Sequence, residues 1–111
     1  MINVSVMYPN SEGATFDFDY YAQTHMPLAA QLLGDVLKGV QIERGIAGAL
    51  PGQPAPFIAI GHLQFESLEV FQQAFAPHAA QILADIPNFS NVQPQVQISH
   101  VELSSSSDHS H

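Results

Sequence analysis

Cysteine is absent from this 111-residue chain. That excludes disulfides, thiolate nucleophiles and zinc–thiolate sites, and it suits a reducing compartment, so a cytoplasmic location is expected. Positive charge is almost missing as well: Lys38 and Arg44 face ten acids, for a formal net charge of −8. Displacing counterions from phosphates takes clustered Lys and Arg, so neither nucleic acid nor an anionic membrane is expected as a partner. A highly anionic substrate would find little to grip. No apolar run is long enough to span a bilayer, and the opening Met1-Ile2-Asn3-Val4-Ser5-Val6 lacks the basic-then-apolar order of a signal peptide. Phosphate-loop and dinucleotide glycine spacings are missing, and no Ser or Thr sits in a recognisable nucleophile context.

Apolar residues make up 46% of the chain and charged ones only 11%. That supports one domain with one ordinary core, placed at residues 1–103, followed by a polar tail at 104–111. So few charges also suggest that part of the surface is covered by a second copy.

Alternation of Ile2, Val4 and Val6 with polar neighbours reads as a half-buried strand. Helical spacing follows from about Asp17 to Leu37, with Asp17 and Asp19 at the positive end of the helix dipole. A second strand is expected over 39–48, on Val40, Ile42 and Ile46, and a third over 57–65. Ser67 reads as an N-cap to a helix with Leu68, Phe71 and Phe75 on one face. Pro77 suits the start of a short helix running to about Ile86. Val96, Ile98 and Val101 mark a last strand. The order is β-α-β-β-α-β, which predicts an α+β, ferredoxin-like fold: a four-stranded antiparallel sheet with both helices on one face. The other sheet face is expected to meet its counterpart in a second copy, forming a dimeric α+β barrel.

Chemistry concentrates in the first helix. Phe18, Tyr21, His25, Leu28 and Leu32 fall at intervals of 3, 4, 3 and 4, one continuous helical face. His25 therefore points toward the sheet. Pro27 removes a helical hydrogen bond and is expected to push Met26 out of α geometry, opening a cleft beside the imidazole. A neutral, partly buried imidazole can accept a proton or hold a ligand oxygen. The plainer reading of the same spacing is a core histidine bonded to a backbone carbonyl.

His78, in the first turn after Pro77, is a second candidate; an exposed helix-start residue is the alternative. Tyr8, Tyr20 and Tyr21 offer hydroxyls, and Tyr21 shares the His25 face. His62 is expected on the sheet face away from the helices. His100 and Glu102 share a strand face but are too few to hold a metal. Asp85 is assigned to helix termination and turn bonding.

The run Asp19-Tyr20-Tyr21-Ala22-Gln23-Thr24-His25-Met26-Pro27-Leu28, with Ala84-Asp85-Ile86-Pro87-Asn88-Phe89, Gln95-Val96-Gln97-Ile98-Ser99 and the element order, resembles the EthD family, named for ethyl tert-butyl ether degradation. The resemblance implies a ferredoxin-like subunit, a homodimer joined through sheet faces, and a helix–sheet cleft in which His25 is the acid/base or hydrogen-bond anchor. Tyr21 and His78 are then secondary polar groups, and Phe18, Leu28, Phe71 and Phe75 the walls, around a small apolar or aromatic ligand of ether or aromatic-compound catabolism. It leaves the reaction open. Related barrels include cofactor-free monooxygenases, isomerases, stress-response proteins and non-catalytic accessories, so cofactor-independent oxidation or isomerisation and simple ligand holding all remain alternatives. Neither a metal nor a cofactor is expected; haem, on His25 or His78, is the less favoured option.

Overall fold

The computed structural model describes residues 1–104; of the expected polar tail, residues 105–111 lie outside the described residues. Strands β1 (Ile2–Pro9), β2 (Gly39–Arg44), β3 (Phe57–Phe65) and β4 (Gln95–His100) form one antiparallel sheet in the order β2-β3-β1-β4. Two helical segments connect β1 to β2 and β3 to β4. The α+β fold and its β-α-β-β-α-β order are those expected.

Strand alternation divides the sheet cleanly. Ile2, Val4, Ala59 and Phe65 face the helices and are at most 2% exposed. Ile2, Val4 and Phe65, together with Ala29, Leu33, Phe71 and Ile82 from the helices, form one core cluster. Tyr8, Tyr21, Met26, Ala59 and Phe89 form a second, more aromatic one. His62 lies on the opposite sheet face, as expected. There its Nε2 meets Glu43 Oε1 at 3.2 Å and its Nδ1 meets Ser5 Oγ at 3.0 Å.

The second strand is shorter than its composition suggested. It ends at Arg44, and Ile46 is 90% exposed. Gly45 approaches the Phe57 carbonyl so closely that a side chain there would collide with it, so pairing continues only as the single bond from the Gly45 N–H to the Ile58 carbonyl at 3.0 Å.

Asp17 caps the first helical segment, accepting the Tyr20 N–H at 3.1 Å. The segment then has three parts: α1 (Phe18–Tyr20), one π-helical turn (Tyr21–His25) and α2 (Met26–Leu33). In the π turn the Met26 N–H donates to the Tyr21 carbonyl, five residues back. Pro27 explains it. In an unbroken α-helix its ring would crowd the Gln23 carbonyl and its missing N–H would leave that carbonyl unpaired. The wider turn relieves the crowding and places Pro27 in the first turn of α2, where a free N–H is not needed. Met26 consequently stays helical, at φ −67° and ψ −40°, against the expectation that Pro27 would displace it.

The extra residue of a π turn rotates everything after it. Inward-facing positions move on by one: Ala29 and Leu33 are buried, at 3% and 5% exposure, where unbroken spacing placed Leu28 and Leu32. In the connection from β3 to β4, Ser67 caps α3 (Leu68–Phe75) by accepting the Val70 N–H, and α4 (Ala79–Ala84) follows after a 3₁₀ turn containing Pro77. Among the described residues no helix is long and apolar enough to cross a membrane.

Candidate functional site

The π turn ends at His25 and sets its ring beneath the helix, 5% exposed. The Tyr21 ring stacks on it, with centroids 5.4 Å apart and planes 13° from parallel. Phe89 closes the other side at 4.7 Å. Tyr21 itself reaches the sheet at Gly61, where a methyl group in place of the glycine hydrogen would overlap its hydroxyl. A residue without Cβ in β3 therefore sets how deep the Tyr21–His25 stack can sit.

The imidazole is held by Asp85, which follows α4. His25 Nδ1 lies 2.9 Å from Asp85 Oδ2, while Oδ1 accepts from the Tyr20 hydroxyl at 2.7 Å and from Asn88 Nδ2 at 2.8 Å. Burial pushes this carboxyl up, but the bonds from Asn88, Tyr20 and His25 together outweigh it and hold the group below its ordinary value. Asp85 is thus a carboxylate at neutral pH and only accepts. The proton between the pair therefore sits on His25 Nδ1, which fixes the ring's orientation and leaves Nε2 as its free nitrogen. Nε2 takes no hydrogen bond from the described residues, yet it is not sealed off.

His25 borders a cavity of about 200 Å³ between the helices and the sheet. Apolar cavities of roughly 150 Å³ already admit a benzene-sized molecule. Apart from His25, the polar atoms on its wall belong to Tyr8 and Tyr21. Both phenols are held in the protonated form. Burial pushes Tyr21 up to about 12, partly offset by the Tyr8 hydroxyl, and burial raises Tyr8 further still, with Tyr21 beside it. The site thus offers one free imidazole nitrogen in apolar surroundings.

Of the residues singled out from the sequence, His25, Tyr21, Tyr8, Phe71 and Phe75 meet at this cavity. Phe18, Leu28 and His78 do not line it. Phe18 is half-buried at the start of the helix, with the Arg44 guanidinium 3.9 Å above its ring. Leu28 is turned aside by the π turn, and Met26 and Ala29 stand on the wall instead. His78 is half-buried ahead of α4. Asp85 does close the turn, through its carbonyl and the Asn88 N–H at 3.0 Å. Its side chain has a second partner that sequence reasoning missed, because 60 positions separate it from His25 and periodicity carries no information across that span. Tyr20, which does not line the cavity, was likewise missed as a support of that carboxylate. Among the described residues no cluster of His, Asp and Glu has the makings of a metal centre.

A ferredoxin-like α+β domain with an aromatic-lined cleft under its first helix defines the class of protein. Residues 12–93 match the EthD domain, and the chain belongs to the EthD family. It is similar to an EthD-like protein from Ralstonia eutropha JMP134, with 41% identity over 97% of this chain and 96% of that one and a TM-score of 0.89. An ethyl tert-butyl ether degradation (EthD) family protein from Bacillus halodurans C-125 shares the fold at 20% identity, over 91% and 98% of the two chains, with a TM-score of 0.63. HapK from Hahella chejuensis shares it at 12% identity, over 96% and 98%, with a TM-score of 0.57. No curated protein matches the chain.

Proposed function

We propose that this protein binds a small, uncharged, mostly apolar molecule carrying a hydroxyl group, an intermediate of ether or aromatic-compound breakdown, and that His25 is its anchor and acid–base group. One observation carries the reading: an imidazole whose Nδ1 proton is committed to an ionised Asp85, with its other nitrogen left free in an apolar cavity. In the neutral imidazole Nε2 is an acceptor. A ligand hydroxyl would donate to it, and the ring would take up the proton as negative charge built on the ligand oxygen. Asp85 would then stabilise the imidazolium formed. The name of the Bacillus halodurans relative's family supports the catabolic setting.

The reading extends to a homodimer joined through the sheet. The chain's own helices cover one sheet face only, and on the other Met7 pairs with the half-buried Ile60 beside the Ser5–His62–Glu43 chain of polar contacts. A second copy would cover these groups. Light scattering should report a dimer at micromolar concentration, and a 12.0 kDa monomer would remove that part of the reading.

The site itself is tested by calorimetric binding of phenol to the wild type and to His25→Ala. A loss of about tenfold or more is expected, in the range of one hydrogen bond to an otherwise apolar ligand. Equal affinity in a folded variant would refute the anchor. Native mass spectrometry of freshly purified protein would show which molecule it retains.

A further inference from the structure

The cavity beside His25 borders a second space. Four of the cavity's lining residues, Leu83, Ile86, Pro94 and Val96, also line this larger hollow of about 490 Å³ that runs between the end of α4 and the approach to β4. The two spaces therefore adjoin along these residues. Leu83 and Val96 stand at this boundary with about half their surface open, at 51% and 55% exposure.

The chemistry of the outer hollow follows from its polar atoms. No charged residue lines it. Asn91 is committed at both ends of its amide: Oδ1 accepts the Thr15 N–H at 2.8 Å and Nδ2 donates to the Gly13 carbonyl at 2.9 Å. Ser90 donates its hydroxyl to the Thr15 carbonyl at 2.9 Å and accepts the Val92 N–H at 3.3 Å. These bonds tie the segment before β4 to the loop after β1, so the hollow has a fixed wall. Gln93, at the exposed rim, is the one side-chain amide there outside that tether. What remains for a ligand is mostly apolar surface, with the Gln93 amide at its rim.

We infer that the two hollows form one binding site for an elongated, uncharged molecule, its hydroxyl-bearing head at His25 and an apolar tail passing between Leu83 and Val96 into the outer groove. The inference rests on the anchoring role proposed for His25 and adds the shape of the ligand. A tail ending in a carboxylate or phosphate does not fit, because no cation lines either hollow and the chain carries a net charge of −8.

The test is calorimetric binding of phenol, 4-propylphenol and 4-heptylphenol to the wild type, His25→Ala, Leu83→Trp and Val96→Trp. Both tryptophans replace half-exposed residues, so they fill the boundary without entering the core. In the wild type, affinity should rise by about fourfold for each methylene that enters the groove. Val96→Trp and Leu83→Trp should lose the gain from the longer tail, read against each variant's own affinity for phenol. His25→Ala should weaken all three ligands while keeping the increment between them. Phenol binding with no gain along the series, or a gain untouched by both tryptophans, overturns the continuous site and leaves the anchor intact. Failure of every ligand to bind the wild type overturns both. A fall in hydrodynamic size on Val96→Trp without ligand would assign the groove to a second copy and overturn the inference.

Discussion

His25 and Asp85 join the two helical halves of this protein through one 2.9 Å contact between Nδ1 and Oδ2. The contact ties the end of the π turn to the turn after α4. Three donors on one carboxylate make it the most heavily bonded side chain of the site.

The linkage has a sign that can be measured. Asp85 is held below its ordinary value, so its contribution to stability is present above the unfolded value and is lost as pH falls through the folded one. Urea unfolding of the wild type should therefore show a midpoint that declines at acid pH, and Asp85→Asn should shrink that decline. A variant with the same acid limb as the wild type would show that the three bonds do not act through the carboxylate's charge.

Tyr21 is expected to behave in the opposite sense. Its phenol is pushed up to about 12, so its contribution is complete below the unfolded value of 10.0 and is lost as pH climbs from there through about 12. Ultraviolet titration of the folded protein should show a phenolate appearing late, and Tyr21→Phe should remove that step. A Tyr21 signal titrating at the ordinary value would contradict its burial.

Gly61 controls the depth of the stack. Gly61→Ala should push the Tyr21 ring outward, because the new methyl overlaps its hydroxyl. Overpacking of this kind costs about 1–3 kcal/mol. Chemical denaturation should register the loss, and phenol binding should weaken with it because the His25 ring follows Tyr21. Full retention of both would show that the ring relocates freely.

The π turn predicts an inequality between neighbours. Leu33→Ala should cost about 2–5 kcal/mol, the range for truncating a buried leucine. Leu32→Ala should cost clearly less, since Leu32 only flanks the core that Leu33 enters. Equal losses would mean that the inward face keeps the unbroken helical spacing.

Much of the architecture was legible in the chain. Alternation of Ile2, Val4 and Val6 places β1, and the dense apolar run from Phe57 to Phe65 marks β3 to the residue. Ser67 announces its helix because a hydroxyl just ahead of an apolar helical face is a local signal. The inward placement of His25 was legible for the same reason, since it needs only the spacing from Tyr21. Residues beyond Pro27 were misread. Leu28 looked like a cavity wall because a constant period was assumed through a proline that the helix accommodates by adding a residue.

The sequence alone determined the strand and helix order, the inward turn of Tyr21 and His25, and the poverty in cations that gives an anionic partner little to grip. Those are properties of local spacing and composition. Only the tertiary structure decided that Asp85 and Tyr20 support the imidazole, that Met26 and Ala29 replace Leu28 on the wall, and that Leu83 and Val96 line both the cavity and the hollow beside it. Each depends on contacts between segments distant in the chain or on how one helix resolves a local clash. The imidazole could be found from its neighbours in sequence; its orientation, and so which nitrogen faces a ligand, came from a carboxylate that only folding brings near.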